Sequence, residues 1–127
     1  MENARPLIFV SYRTGTEKLA SELAQVLRRR PIDVFVDQEI LPGSHRPSAY
    51  REAFERASAL LVLIDENWLR YQDEWGRRKI DGPDDFVHRE VANALEKDLE
   101  ILPVLVDGAQ MPPKPALPQA LGNLAEK

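Results

Sequence analysis

Cysteine is absent from this chain of 127 residues, and its absence excludes several kinds of chemistry at once. Without a thiol there is no disulfide, no cysteine nucleophile and no zinc site with cysteine ligands. The chain has only two histidines, His45 and His88. We expect His88 to lie on the solvated outer face of its helix, and we expect neither histidine to act in catalysis or to bind a metal. A chain without cysteine also fits a cytoplasmic protein.

The sequence also lacks long hydrophobic runs and an excess of basic charge. No apolar stretch approaches the ~20 residues that a membrane-spanning helix requires, and the first residues are too polar for a signal peptide. The net charge is −4, whereas non-specific binding to nucleic acids favours basic patches. We therefore expect neither a membrane nor a nucleic acid as a partner. The length predicts a single domain.

Two common nucleotide-binding motifs are missing. No Gly-x-Gly-x-x-Gly follows the first predicted strand, which argues against a dinucleotide-binding unit of the redox type, and there is no P-loop. A receiver domain has a similar order of elements, but it needs an acidic pair at the end of its first strand. This chain has Ser11, Tyr12 and Arg13 at that place.

Apolar segments typical of buried strands alternate along the chain with amphipathic segments typical of helices. This alternation predicts a parallel sheet with helices on both faces. The most hydrophobic segment, residues 59–64, should be the central strand, whereas Pro103 favours an edge position for the last strand. Residues 66–83 are highly charged, and we expect a short helix and then a mobile loop there. The four predicted strands cover residues 7–10, 32–36, 59–64 and 101–106.

Ligands of such sheets bind beyond the carboxyl ends of the strands. This rule gathers four parts of the chain at one edge: residues 11–13, residues 37–43, residues 65–68 and the start of the helix that contains Glu90. Glu90 lies in the second turn of that helix, and its side chain leans back toward the same edge. The sequence therefore predicts one crevice that contains a carboxylate, an arginine and hydroxyl groups.

Glu90 stands out within its helix, which Asp84 or Asp85 is expected to cap. Val87, Val91 and Ala94 belong to an apolar stripe, and Glu90 falls at the edge of that stripe. A carboxylate at the rim of a core is costly unless it is paired. Two interpretations stay open: Glu90 makes a structural hydrogen bond, or it faces a cleft and does chemistry.

The chemistry that suits this crevice is cleavage of a bond through an oxocarbenium-like state, which one carboxylate can stabilise. No acid is needed to protonate a leaving group that is already cationic, as the nicotinamide of NAD is.

Five segments occur in this sequence in the order of a known domain family: residues 8–13, 34–37, 41–43, 86–90 and 102–108. They resemble the TIR (Toll/interleukin-1 receptor) domain family, most closely the TIR domains of bacterial defence systems and the NAD-hydrolysing members. The resemblance implies an α/β, flavodoxin-like three-layer domain with a central parallel sheet of four to five strands in the order 2-1-3-4-5. We expect one TIR domain over residues 1–127 that stops short of the last strand and helix of the family and belongs to a longer effector.

The resemblance also implies the site. A glutamate of a Trp-x-x-x-Glu arrangement is catalytic in the NAD-hydrolysing members, and it aligns with Glu90. Phe86 replaces the tryptophan, which keeps an aromatic platform and loses the indole N–H. Trp68 is a further candidate for stacking on the substrate, although we favour its anchoring of a loop onto the core. The substrate-binding candidates are Ser11, Tyr12, Arg13, Asp37, Glu39, Leu41, Gly43, Trp68 and Phe86.

The implied function is that of an NAD glycohydrolase, which cleaves NAD to nicotinamide and linear or cyclic ADP-ribose upon self-assembly, in bacterial anti-phage immunity. NAD is then a substrate, and neither a cofactor nor a metal is expected. The expected partners are other TIR protomers, in an assembly that can be a filament, and a sensor domain or partner protein. Two alternatives remain: a non-catalytic module for TIR–TIR interaction, and an enzyme resembling nucleoside deoxyribosyltransferases.

Overall fold

A computed structural model of the protein describes residues 5–13, 15–36 and 47–127. None of the helices in these ranges is both long enough and apolar enough to cross a membrane. The elements alternate along the chain as the sequence predicts. They are β1 (Leu7–Ser11), α1 (Glu17–Leu27), β2 (Asp33–Val36), α2 (Pro47–Arg56), β3 (Ala59–Ile64), α3 (Phe86–Glu96) and β4 (Glu100–Leu105), with 3-10 helices at Lys79–Asp81, Lys114–Ala116 and Gln119–Glu126.

The four strands form one parallel sheet in the order β2-β1-β3-β4. This arrangement confirms the predicted α/β, flavodoxin-like architecture. All six residues of β3 are buried between β1 and β4, as expected of the central strand. β4 lies at one edge of the sheet, with Pro103 opposite Val62, and the described ranges contain no fifth strand.

Helices cover both faces of the sheet because the chain reverses its direction of winding. From β1 to β2 the chain moves one way across the sheet, and from β2 through β3 to β4 it moves the other way. Right-handed crossovers therefore place α1 on one face and both α2 and α3 on the other. α1 packs against Val10 and Leu61 through Ala20 and Ala24. The larger core lies beneath α2 and α3, around the fully buried Phe9.

The segment between β3 and α3 differs from the prediction of a short helix and a mobile loop. It forms turns at residues 66–70 and then a tight hairpin with a bridge between Gln72 and Arg78. The reason is local: the carboxylate of Asp73 accepts hydrogen bonds from the backbone N–H groups of Trp75 and Arg77. Such side-chain bonds offer the backbone an alternative to a helix.

His88 is also placed differently from the prediction of a solvated outer face. Its side chain is buried, and its ring nitrogen Nδ1 donates a hydrogen bond to the backbone carbonyl oxygen of Ile80 at 2.6 Å. Ile80 lies in the 3-10 helix Lys79–Asp81 and is fully buried. The prediction was wrong because this segment covers a face of α3 that the residue pattern of the helix alone predicts to be exposed to solvent.

Candidate functional site

The start of α3 is fixed by Asp85. Its backbone is extended, and its carboxylate accepts a hydrogen bond from the backbone N–H of His88 at 3.0 Å. This confirms the predicted cap, because a side-chain oxygen at this position accepts from a backbone N–H of the first turn that has no partner within the helix. Val87 and Val91 then turn into the core, which fixes the rotation of the helix. That rotation directs Glu90 toward α2.

Glu90 lies in the wall between α2 and α3. The residue is only 6% exposed, and the hydroxyl of Tyr50 on α2 donates a hydrogen bond to its Oε2 atom at 2.6 Å. The bond satisfies the requirement that a carboxylate at the edge of a core be paired. Glu90 thus makes a structural hydrogen bond, as the first interpretation of the sequence expects, and it also faces a cleft, as the second one requires.

A cleft of about 360 Å³ separates α2 from α3. Phe86 is 55% exposed at this cleft, and its ring centroid lies 6.0 Å from that of Tyr50. The guanidinium of Arg89 lies 5.8 Å from the centroid of Phe86, within the range of a cation–π contact. The cleft is therefore lined by both the carboxylate of Glu90 and the exposed aromatic ring of Phe86. Its lining residues are Tyr50, Arg51, Phe54, Glu55, Phe86, Arg89, Glu90, Asn93, Glu96 and Lys97.

Arg13 is joined to the start of α3. Its two terminal nitrogens donate to the two carboxylate oxygens of Asp85 at 2.8 and 2.7 Å. The side chains of the pair are only 6% and 12% exposed, so this is a largely buried, bidentate ion pair of the kind that fixes geometry. Arg13 does lie at the predicted edge of the sheet, but nothing in the sequence pattern indicated that Asp85 would be its partner.

The two residues before Arg13 face opposite sides of the sheet. Side chains alternate along a strand, so Ser11 shares the side of Phe9, which packs beneath α2 and α3. The Ser11 hydroxyl is buried and has no hydrogen-bond partner in the described part of the chain. Tyr12 packs instead against the cluster beneath α1. The structure therefore places Ser11, but not Tyr12, on the side of the Glu90 cleft.

Trp68 belongs to the core. It is 1% exposed and packs in the cluster beneath α2 and α3, which confirms the favoured interpretation that it anchors its loop. It is not among the residues that line the cleft. The remaining candidates, Asp37, Glu39, Leu41 and Gly43, lie outside the described residues.

Tyr50 is the site residue that sequence reasoning did not identify. A usable signal was present, because its hydroxyl and the carboxylate of Glu90 are both polar groups beside apolar helix stripes, where each needs a partner. Within the ranges that the structure describes, no cluster of three or more histidine, aspartate or glutamate side chains is arranged to bind a metal ion.

Comparison with known proteins agrees with this architecture. A family model described as TIR domain matches residues 8–125. A protein of Drosophila melanogaster named NAD(+) hydrolase sarm1 is 28% identical over 121 residues, which make up 93% of this chain. The same region is 8% of that relative, so the chain spans only a small part of its length. The match over residues 8–125 shows that this chain belongs to the TIR domain family.

Proposed function

We propose that this TIR domain is an NAD glycohydrolase that cleaves NAD to nicotinamide and ADP-ribose. The observation that carries the proposal is the nearly buried carboxylate of Glu90 in the wall of a cleft, beside the exposed ring of Phe86. The similarity to a protein named NAD(+) hydrolase supports the choice of substrate.

The reaction needs little from the protein besides a carboxylate and a positioned substrate. The bond between ribose C1′ and the nicotinamide nitrogen breaks, and its electron pair neutralises the pyridinium, so the leaving group needs no proton. The positive charge that develops on the ribose is stabilised by the carboxylate of Glu90. Water then adds to C1′ and releases a proton, which gives ADP-ribose.

Phe86 supplies the surface on which the nicotinamide ring stacks. Its face already attracts a cation, because the guanidinium of Arg89 lies above it. A pyridinium ring that stacks there exchanges one cation for another on the same aromatic face. After the bond breaks, nicotinamide is neutral and loses this attraction, which favours its release.

Two finer parts of the proposal concern activation and biological role. We propose that activity rises upon self-assembly with other TIR protomers, and that the loop before α2 takes part in this contact. We also propose a role in bacterial anti-phage immunity, on the basis of the sequence resemblance to defence TIR domains. A sensor domain or partner protein would then supply the activating signal.

The direct test is Glu90→Gln, which removes the charge and keeps the shape. Nicotinamide release from NAD is measured by chromatography at high protein concentration or with a crowding agent. We expect the variant to lose activity while its thermal unfolding remains cooperative. Glu52→Gln is the matched control, because Glu52 is an exposed residue of α2 that does not line the cleft. Wild-type turnover in the folded Glu90→Gln variant would remove Glu90 from the mechanism.

The alternative function, a non-catalytic TIR interaction module, is favoured by one observation. The hydrogen bond from Tyr50 already gives the Glu90 carboxylate a structural partner. In that case the wild-type domain releases no nicotinamide at any protein concentration, and Glu90→Gln changes its stability alone.

A further inference from the structure

The ring of Tyr50 is held by aromatic neighbours. Phe9 meets it edge-on at a centroid distance of 5.3 Å, and Phe35 does so at 6.2 Å. Phe86 lies on the cleft side at 6.0 Å. Pairs of this geometry are favourable beyond the area they bury, and Phe9 is itself fully buried. The position of the Tyr50 hydroxyl is therefore set by rigid packing against the sheet.

That hydroxyl donates a hydrogen bond to Glu90. The distance of 2.6 Å to Oε2 lies in the range of O–H···O⁻ bonds to an ionised group, which are shorter and stronger than neutral ones. Tyr50 and Glu90 come from different helices, 40 residues apart in sequence. The bond thus connects α2 to the carboxylate on α3 at the wall of the cleft.

We infer that Tyr50 is the positioning residue for Glu90 in NAD cleavage, an inference that rests on the proposed function. A glutamate side chain has several rotatable bonds, and a carboxylate that must meet a developing charge has to be held closely in place. The packed phenol of Tyr50 provides this restraint. It also couples the two helices, because any ligand or protomer that shifts α2 moves the donor that holds Glu90.

Tyr50→Phe separates this role from packing. The variant keeps the ring that contacts Phe9, Phe35 and Phe86, and it removes the hydroxyl that donates to Glu90. We expect kcat to fall by about 10- to 100-fold, the size of a lost hydrogen bond to a charged group. KM for NAD should stay unchanged, because the hydroxyl points at the carboxylate. Tyr71→Phe is the matched control, because it removes a phenol oxygen outside the cleft lining.

Two kinetic results would overturn the inference while leaving the proposed function intact. In the first, Tyr50→Phe turns over NAD like the wild type although Glu90→Gln is inactive. In the second, KM rises at constant kcat, which would make Tyr50 a substrate contact. A fall in kcat at constant KM, with none in Tyr71→Phe, supports the inference.

A double-mutant cycle of unfolding free energies, with Tyr50→Phe and Glu90→Ala, tests the bond without any activity measurement. Zero coupling overturns the inference even in an active enzyme. Positive coupling supports the bond on which the inference depends. A wild-type protein that never releases nicotinamide overturns the proposed function, and the positioning role of Tyr50 in NAD cleavage is then overturned as well.

Discussion

At the scale of single residues, the site depends on pairs that join separate elements. Arg13 follows β1, and Asp85 precedes α3, yet their side chains form a bidentate pair that is mostly shielded from water. Asp85 also caps α3, so one carboxylate fixes the start of the helix and ties it to the sheet. The direction of Glu90, five residues further along, depends on this attachment.

Arg13→Ala should therefore destabilise the protein and also lower its rate of NAD cleavage. Removal of the guanidinium leaves the Asp85 carboxylate unpaired in a largely buried place, and we expect the free energy of unfolding to fall by about 3 kcal/mol. Urea denaturation measures this loss. In the control Arg77→Ala, the lost ion pair involves an arginine side chain that is 75% exposed, so stability should hardly change. A fully stable Arg13→Ala protein with only a raised KM would instead make Arg13 a substrate contact.

The two tryptophans provide a second test at this scale. Trp68 is 1% exposed and Trp75 is 74% exposed. Trp75→Phe should leave a blue-shifted fluorescence spectrum from the buried indole and unchanged stability. Trp68→Phe should leave the red-shifted spectrum of an indole in water and lower the melting temperature, because it opens space in the core. A red-shifted spectrum from Trp75→Phe would contradict the anchoring of Trp68.

At the scale of elements, the connection between β3 and α3 covers the side of α3 that carries His88. The hairpin at residues 72–78 leads into the 3-10 helix that buries His88. Arg78 secures this connection through two bonds to Asp81 and one to the backbone carbonyl of Ala116. Local hydrogen bonds of this kind hold a highly charged segment with little helix in place against α3.

Acid should weaken this connection through Asp81. The hydrogen bonds from Arg78 hold the pKa of the Asp81 carboxyl below its ordinary value. A lowered pKa in the folded state means that the pair stabilises the protein above the unfolded pKa of about 3.9 and loses this contribution as pH falls through the folded pKa. Asp81→Asn should thus lower the melting temperature at neutral pH, and its difference from the wild type should shrink in acid.

Melting temperatures of both proteins at about pH 7 and at about pH 3 measure this effect. Asp84→Asn serves as the control, because Asp84 is an exposed carboxylate without an ion pair among the described residues. If the difference in melting temperature between Asp81→Asn and the wild type stays constant with pH, the ionised pair of Asp81 and Arg78 does not contribute to stability.

At the scale of the whole molecule, the proposed activation depends on contacts between protomers. The chain corresponds to only 8% of its relative from Drosophila melanogaster. Residues 37–46 carry Leu41 and Gly43 and lie outside the described ranges. Apolar residues on a connecting loop more often serve recognition than local stability.

We expect the isolated domain to self-associate weakly, with activity that rises faster than linearly with protein concentration. Contacts that join one surface to a different surface can extend into filaments. Gly43→Pro should impair both assembly and activity if this segment makes the proposed contact with a neighbouring protomer, because proline restricts the backbone there. Light scattering and nicotinamide release across a concentration series test this. Linear activity together with an unimpaired Gly43→Pro variant would indicate a domain that works as a monomer.

Features that a few neighbouring residues encode could be predicted from the amino-acid sequence alone. The apolar segments predicted all four strands, and their alternation with helices predicted a parallel sheet. A carboxylate before an amphipathic segment predicted a cap at Asp84 or Asp85, and the structure has it at Asp85. The position of Glu90 beside the stripe of Val87 and Val91 predicted a buried carboxylate that needs a partner. Such signals are local because hydrogen bonding within a helix and burial of one face repeat over short distances.

Which distant side chains contact each other depends on how the helices and the sheet pack together. The partners of Arg13 and Glu90 lie 72 and 40 residues away in sequence, and no periodicity specifies such pairs. The burial of His88 depends on a segment whose hairpin is set by the side chain of Asp73. These contacts arise because packing fixes the relative positions of whole elements, and a side chain then bonds with whatever polar group that packing brings near.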